Sequence, residues 1–184
     1  MTVPEDAWVF DTGPLRHFAA QGWLGVLRFL AGERPVYIPS AVERELYNAA
    51  DAIPAVRQVV GADWIRVHSS ESMEYMGAFS RYHDRLVAGG KNVGECEVLA
   101  MGKIYGCEIV VDDAAPRRIA EEEGIRVAAT VAILCDAIRE RKLTTAMVEE
   151  LADHLLEGKY YLPFGRGGFR NYVLENGLLD YGEI

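Results

Sequence analysis

The stretch Trp8-Val9-Phe10-Asp11-Thr12-Gly13-Pro14-Leu15 decides how the chain folds. Three bulky residues of high strand propensity run directly into an aspartate, and Thr12, Gly13 and Pro14 then break the strand. A helical pattern follows. In an α/β protein the carboxyl ends of buried strands are where ligands and chemistry collect. An aspartate there is held rigidly at the sheet edge, and Gly13-Pro14 predicts that it has no long helix to cap. Asp11 becomes a centre of chemistry only if other carboxylates converge on it.

Glu108-Ile109-Val110-Val111 is a second buried-strand pattern that ends in acid, Asp112-Asp113. Pro35 to Pro39, Trp64 to Val67 and Ile125 to Val127 read as further short strands. Between them the spacing predicts helices from Leu15 to Leu30 with a break at Gly22, then Ser40 to Ala50 and Ile53 to Val60. Further helices run over a polar, exposed Ser72 to Val87 ended by Gly89-Gly90, and over Asn92 to Tyr105 ended by Gly106. Another opens at Pro116 and closes at Gly124, followed by Thr130 to Arg141 and Ala146 to Leu156. Ser40 and Glu43 have the spacing of a capping box. This alternation predicts an α/β fold of three layers, α/β/α, with a mostly parallel central sheet. Residues 1–143 form that domain. Residues 144–184 form a helical C-terminal extension packed on or appended to it, with a glycine-rich loop at Gly165 to Gly168 and a last amphipathic segment around Phe169 to Leu179.

A net charge of −9 argues against a protein that holds nucleic acid by a broad basic surface. It does not exclude a nuclease, because an acidic metal site adds negative charge of its own. No apolar run reaches the roughly 18 residues that span a bilayer, and Met1 to Glu5 lacks the start of a signal peptide. The expected location is therefore cytoplasmic. Cys96, Cys107 and Cys135 are odd in number and form no C-x-x-C pair, as expected for buried thiols in a reducing compartment. His17, His68, His83 and His154 make no metal-ligand pair, and both G-x-S-x-G and a glycine-rich phosphate loop are absent.

If the two acid-ended strands are parallel neighbours, Asp11 and Asp112-Asp113 emerge at one sheet edge. Glu45 falls at the inner margin of its helix's apolar face, and Glu95 lies in the first turn of its helix, on the side of Val98 and Leu99. Each has a plainer reading: Glu43 as a cap, Glu95 as a cap with Asn92, Glu45 as a solvated charge, Asp112-Asp113 as a helix start. Together they are more informative. Two like charges at about 4 Å repel by roughly 1 kcal/mol in water and about 4 kcal/mol at an effective dielectric of 20. Four carboxylates in one cleft need a cation, and hard oxygen donors select Mg²⁺ or Mn²⁺ over zinc. Such a site suits phosphodiester hydrolysis by activated water.

The order of these motifs resembles the PIN-domain family, metal-dependent nucleases that include the toxins of many toxin–antitoxin pairs. The resemblance runs through Phe10 to Leu15, Ile38 to Leu46, Gly94 to Ala100, Ile109 to Asp113, Arg117 to Ala120 and Gly124 to Val127. The D-T-G-P-L, G-E-x-E and D-D segments look like a subfamily known only as predicted nucleic-acid-binding proteins. The resemblance implies Asp11, Glu45, Glu95 and Asp113 as metal ligands and catalytic residues, with Asp112 as alternative or auxiliary. Glu95 stands where many relatives have aspartate. Thr12 matches the family's hydroxyl, able to bond a metal-bound water; Thr130 alone survives of a glycine-threonine-glycine segment and reads equally as an N-cap. Arg117 and Arg118 face a substrate phosphate or pair with Glu121 and Glu122. The implied activity is a Mg²⁺/Mn²⁺-dependent endoribonuclease acting on RNA, with an antitoxin or a second copy of the chain as protein partner and no membrane. The alternative is a binding module without nuclease activity. A haloacid-dehalogenase-like phosphatase is discounted, because Gly13 occupies the place of its second aspartate.

Overall fold

A computed structural model describes residues 3–87 and 92–184. In chain order β1 (Trp8–Phe10) leads into α1 (Thr12–Ala20) and α2 (Leu24–Ala31), then β2 (Val36–Pro39) and α3 (Ser40–Ala52). A short 3-10 turn at Pro54–Val56 and α4 (Arg57–Val60) precede β3 (Ile65–His68) and α5 (Met73–Leu86). Then come α6 (Val93–Tyr105), β4 (Glu108–Val110), α7 (Ala114–Glu122), β5 (Val127–Ala128) and α8 (Thr130–Arg139). The chain ends with α9 (Thr145–Glu157) and α10 (Phe169–Glu175).

The five strands form one sheet in the order β3-β2-β1-β4-β5, every neighbouring pair parallel. The three-layer α/β architecture expected from the sequence is therefore present, with the sheet parallel throughout. Val9, Phe10, Ile109 and Val110 are fully buried, as a strand with helices on both faces requires. The chain winds outward from β1 through β2 to β3, then returns to place β4 on the other side of β1. The order reverses between β1 and β4. That is the topological switch point, the crevice where α/β sheets bind ligands. Among the described residues no helix is long and apolar enough to cross a membrane.

Several local expectations change. The box at the start of α3 does not form: Glu97 reaches over from α6, accepting from the Ala41 amide at 2.9 Å and the Ser40 hydroxyl at 3.4 Å. Ile125 does not begin a strand, because its amide closes α7 by donating to the Ala120 carbonyl, so pairing starts two residues later. The α5 helix is not simply exposed; Tyr75, Ala78 and Tyr82 are buried. The expected stop at Gly89-Gly90 lies outside the described residues. Cys96, Cys107 and Cys135 are buried free thiols.

Candidate functional site

Asp11 sits at the switch point, locked by its own backbone. Its amide donates to the Val110 carbonyl at 3.1 Å, which carries the β1–β4 ladder one residue past Phe10. Contrary to expectation it does cap a helix: its Oδ2 accepts from the Gly13 amide at 3.5 Å, and α1 runs for nine residues. Pro14 is no obstacle, since its missing N–H falls in the first turn, where amides lack helical partners anyway. The other oxygen, Oδ1, is buried with no hydrogen-bond partner. Asp11 is only 7 % exposed. Burial first, then the negative charges of Glu95 and Glu45, push its pKa from 3.8 up to about 8, against the pull of the Thr12 and Gly13 amides.

Glu45 comes from α3 and is clasped between two other helices. One oxygen accepts from the Thr12 hydroxyl at 2.5 Å and the other from the Gly94 amide at 3.2 Å. Thr12, expected to bond a metal-bound water, here donates to the Glu45 carboxylate. Gly94 permits this approach: a Cβ there would lie 2.9 Å from one Glu45 oxygen and 3.1 Å from the other. Glu45 also supplies the first turn of α6 with an acceptor, because Asn92 makes no side-chain cap and instead donates to the Leu86 carbonyl. Glu95, on the same turn, has its pKa raised mainly by burial, with Glu45 and Asp113 adding to the effect. Asp113 precedes α7 without a side-chain cap bond and is exposed.

Asp11 therefore feels the charges of Glu95 and Glu45, and Glu95 those of Glu45 and Asp113, a chain of neighbouring acids along the sheet's carboxyl edge. They do not close on a point: among the described residues no three His, Cys, Asp or Glu side chains stand close enough to hold a metal ion. The donor set fits a hard divalent cation in chemistry, all oxygen with one orphaned buried oxygen. The two glutamates have arms long enough to swing.

Asp112 is already occupied. Its Oδ1 accepts from the Thr130 amide at 2.8 Å and its Oδ2 from the Thr130 hydroxyl at 2.6 Å and the Tyr160 hydroxyl. It caps α8 from a distance, and Thr130 is the first helical residue, not the N-cap. Tyr160 was missed by the sequence reading. It lies beyond α9, its ring 4.6 Å from the His17 ring and next to Gly13, its hydroxyl 3.2 Å from that of Thr130. Burial and the Asp112 charge hold its hydroxyl well above the ordinary tyrosine range. Nothing local distinguishes it from Tyr161, its exposed neighbour.

Arg117 and Arg118 lie along α7 at 4.0 Å from Glu121 and 3.6 Å from Glu122. Arg166 and Arg170 in the tail pair with Glu157 and Glu149 of α9. A hollow of about 220 Å³ opens beside Asp112 and Arg117, walled by the segment after Tyr160 and by α10. A larger one, about 410 Å³, lies where β1 and β4 begin, away from the acids. Three of its polar groups satisfy one another, for Trp8 and Arg34 both donate to Glu108. The family profile described as a PIN domain matches residues 7–165. Comparison with curated proteins found no match.

Proposed function

The chain belongs to the PIN-domain family, and from that premise we propose that it is a divalent-cation-dependent endoribonuclease. PIN domains are generally nucleases and usually use divalent metals. The observation that carries the reading is the orphaned Asp11 Oδ1, buried at the switch point with no partner of its own. A buried acceptor left empty costs about 1–3 kcal/mol or more, and a cation is the partner that would displace the proton the folded carboxyl retains below about pH 8. In this reading Asp11, Glu45, Glu95 and Asp113 hold Mg²⁺ or Mn²⁺. The bound ion supplies Lewis acidity toward a phosphodiester and a water acidified enough to attack it. Thr12 and Gly94 hold Glu45 by its two oxygens, close enough for its charge to act on Asp11. Asp112, Thr130 and Tyr160 brace the end of β4 without joining the ligand set.

The test is cleavage of single-stranded RNA with Mg²⁺ or Mn²⁺, with and without excess chelator. Asp11→Asn is expected to lose activity by about 100-fold or more while its circular dichroism stays unchanged. Undiminished activity in that variant, or in chelator, rules the mechanism out. A second reading, a PIN fold that binds without cutting, is favoured by the open spacing of the carboxylates. Calorimetric titration with Mn²⁺ separates the two, because only the nuclease needs a stoichiometric site that vanishes in Asp11→Asn. As a toxin acting in the cytoplasm, the protein would be silenced by an antitoxin segment that places a cation over Asp11.

A further inference from the structure

We propose that the hollow beside Asp112 is a nucleobase subsite, in which one unstacked base of a single-stranded RNA packs against Tyr161 and Tyr172 while Arg117 takes the adjoining phosphate. The proposal rests on reading the acidic edge as the place where the RNA backbone runs. Tyr161 follows Tyr160 directly, so the chain that reaches into the cleft with one ring turns the next outward. Tyr161 is 78 % exposed, so its ring offers a stacking surface to solvent at the rim of the hollow. It borders the hollow together with Pro163, Tyr172 and Leu178, an apolar wall about 220 Å³ in capacity. Asp112 and Arg117 form the polar side, the latter only loosely engaged with Glu121 at 4.0 Å.

Charge explains why such a subsite is needed. At −9 the chain offers RNA no long-range attraction, so binding has to come from contacts that do not depend on net charge. Stacking on an aromatic face is such a contact, and it tolerates any base. One guanidinium beside it matches one phosphate and fixes the strand's direction across the site. Asp112 borders this hollow and Asp113 follows it at the start of α7, so in this proposal the phosphodiester next to the base lies on the Asp113 side of the hollow.

Binding is measured by fluorescence anisotropy on the full chain in excess chelator, using a short labelled oligoribonucleotide and an abasic oligomer of the same length. The base-bearing strand is expected to bind more tightly than the abasic one. Tyr161→Ala should weaken the former about 5- to 100-fold and leave the latter unchanged, while Tyr161→Phe retains the affinity. Arg117→Gln should weaken both and reduce the salt dependence by about one phosphate contact. Equal binding of the two strands, or Tyr161→Ala indistinguishable from the parent, overturns the proposal; a pocket made for an apolar segment of a protein partner gives that result. If the Tyr161 pattern holds but no cleavage occurs with Mn²⁺, the nuclease reading fails and the base subsite stands. If cleavage occurs and Tyr161→Ala binds normally, only the subsite fails.

Discussion

Asp11 is kept at a site where the metal-free protein pays for it. Its pKa is higher in the folded chain, about 8, than the ordinary 3.8, so the folded form binds the proton more tightly than the unfolded form. Stability of the metal-free protein should therefore be greatest in acid from this residue and decline as pH rises from about 4 to about 8. Asp11→Asn removes that slope and should raise stability in chelator near pH 8 by on the order of 1–3 kcal/mol, read as a higher midpoint in denaturant. A variant less stable than its parent there contradicts the account. Gly94 is the second residue where one atom matters. Gly94→Ala puts a methyl 2.9 Å from a Glu45 oxygen and 3.1 Å from Val42 Cγ2. Overpacking of this kind costs about 1–3 kcal/mol, and because the carboxylate is what must give way, Mn²⁺ affinity should fall with stability. Loss of stability at unchanged Mn²⁺ affinity would mean that Glu45 is not a ligand.

At the scale of elements, three helix starts at the sheet's carboxyl edge are capped by acids from elsewhere in the chain. Glu97 serves α3, Glu45 serves α6 and Asp112 serves α8. The Ser40–Glu43 spacing was a sound local signal, yet Glu97 displaced it because α6 packs closely on α3 and its carboxylate reaches the exposed amides first. Glu97→Ala should cost about 0.5–2 kcal/mol, whereas Glu43→Ala should cost next to nothing; the reverse order would restore the local box. Tyr160→Phe removes only a hydroxyl, leaving Asp112 and Thr130 one bond short, and should destabilise by about 0.5–1.5 kcal/mol. The helices and strands themselves were legible from apolar periodicity and from glycines such as Gly22 and Gly106, both at positive φ where the chain turns. The caps were not, since each joins residues 18 to 56 apart in sequence by a contact no local pattern encodes.

At the scale of the molecule, the hydrophobic core does not stop at residue 143. Val148, Leu151, Leu155, Phe169 and Val173 belong to the same buried cluster as Val9 and Val110. A chain truncated after Leu143 would expose that face and lose Tyr160 from beside Asp11, so it is expected to be aggregation-prone or unfolded by circular dichroism; a well-folded, Mn²⁺-binding truncation refutes this. For the intact chain, a divalent cation at 100 times its dissociation constant should stabilise by about 2.7 kcal/mol, visible as a rise in melting temperature absent from Asp11→Asn.

The amino-acid sequence by itself determined the α/β alternation, the two acid-ended strands and the carboxylates worth considering, because propensity and periodicity are properties of neighbouring residues. It also carried the family resemblance, since the order of motifs is one-dimensional. Only the tertiary structure decided which acids are free. Asp112 and Asp113 are adjacent and chemically identical, yet one is tied to Thr130 and Tyr160 and the other is open. Likewise Tyr160 faces the cleft and Tyr161 faces solvent. These choices depend on how elements far apart in the chain pack around the β1–β4 switch point, where a single hydroxyl or amide arriving from elsewhere in the chain decides whether a carboxylate is tied or left open.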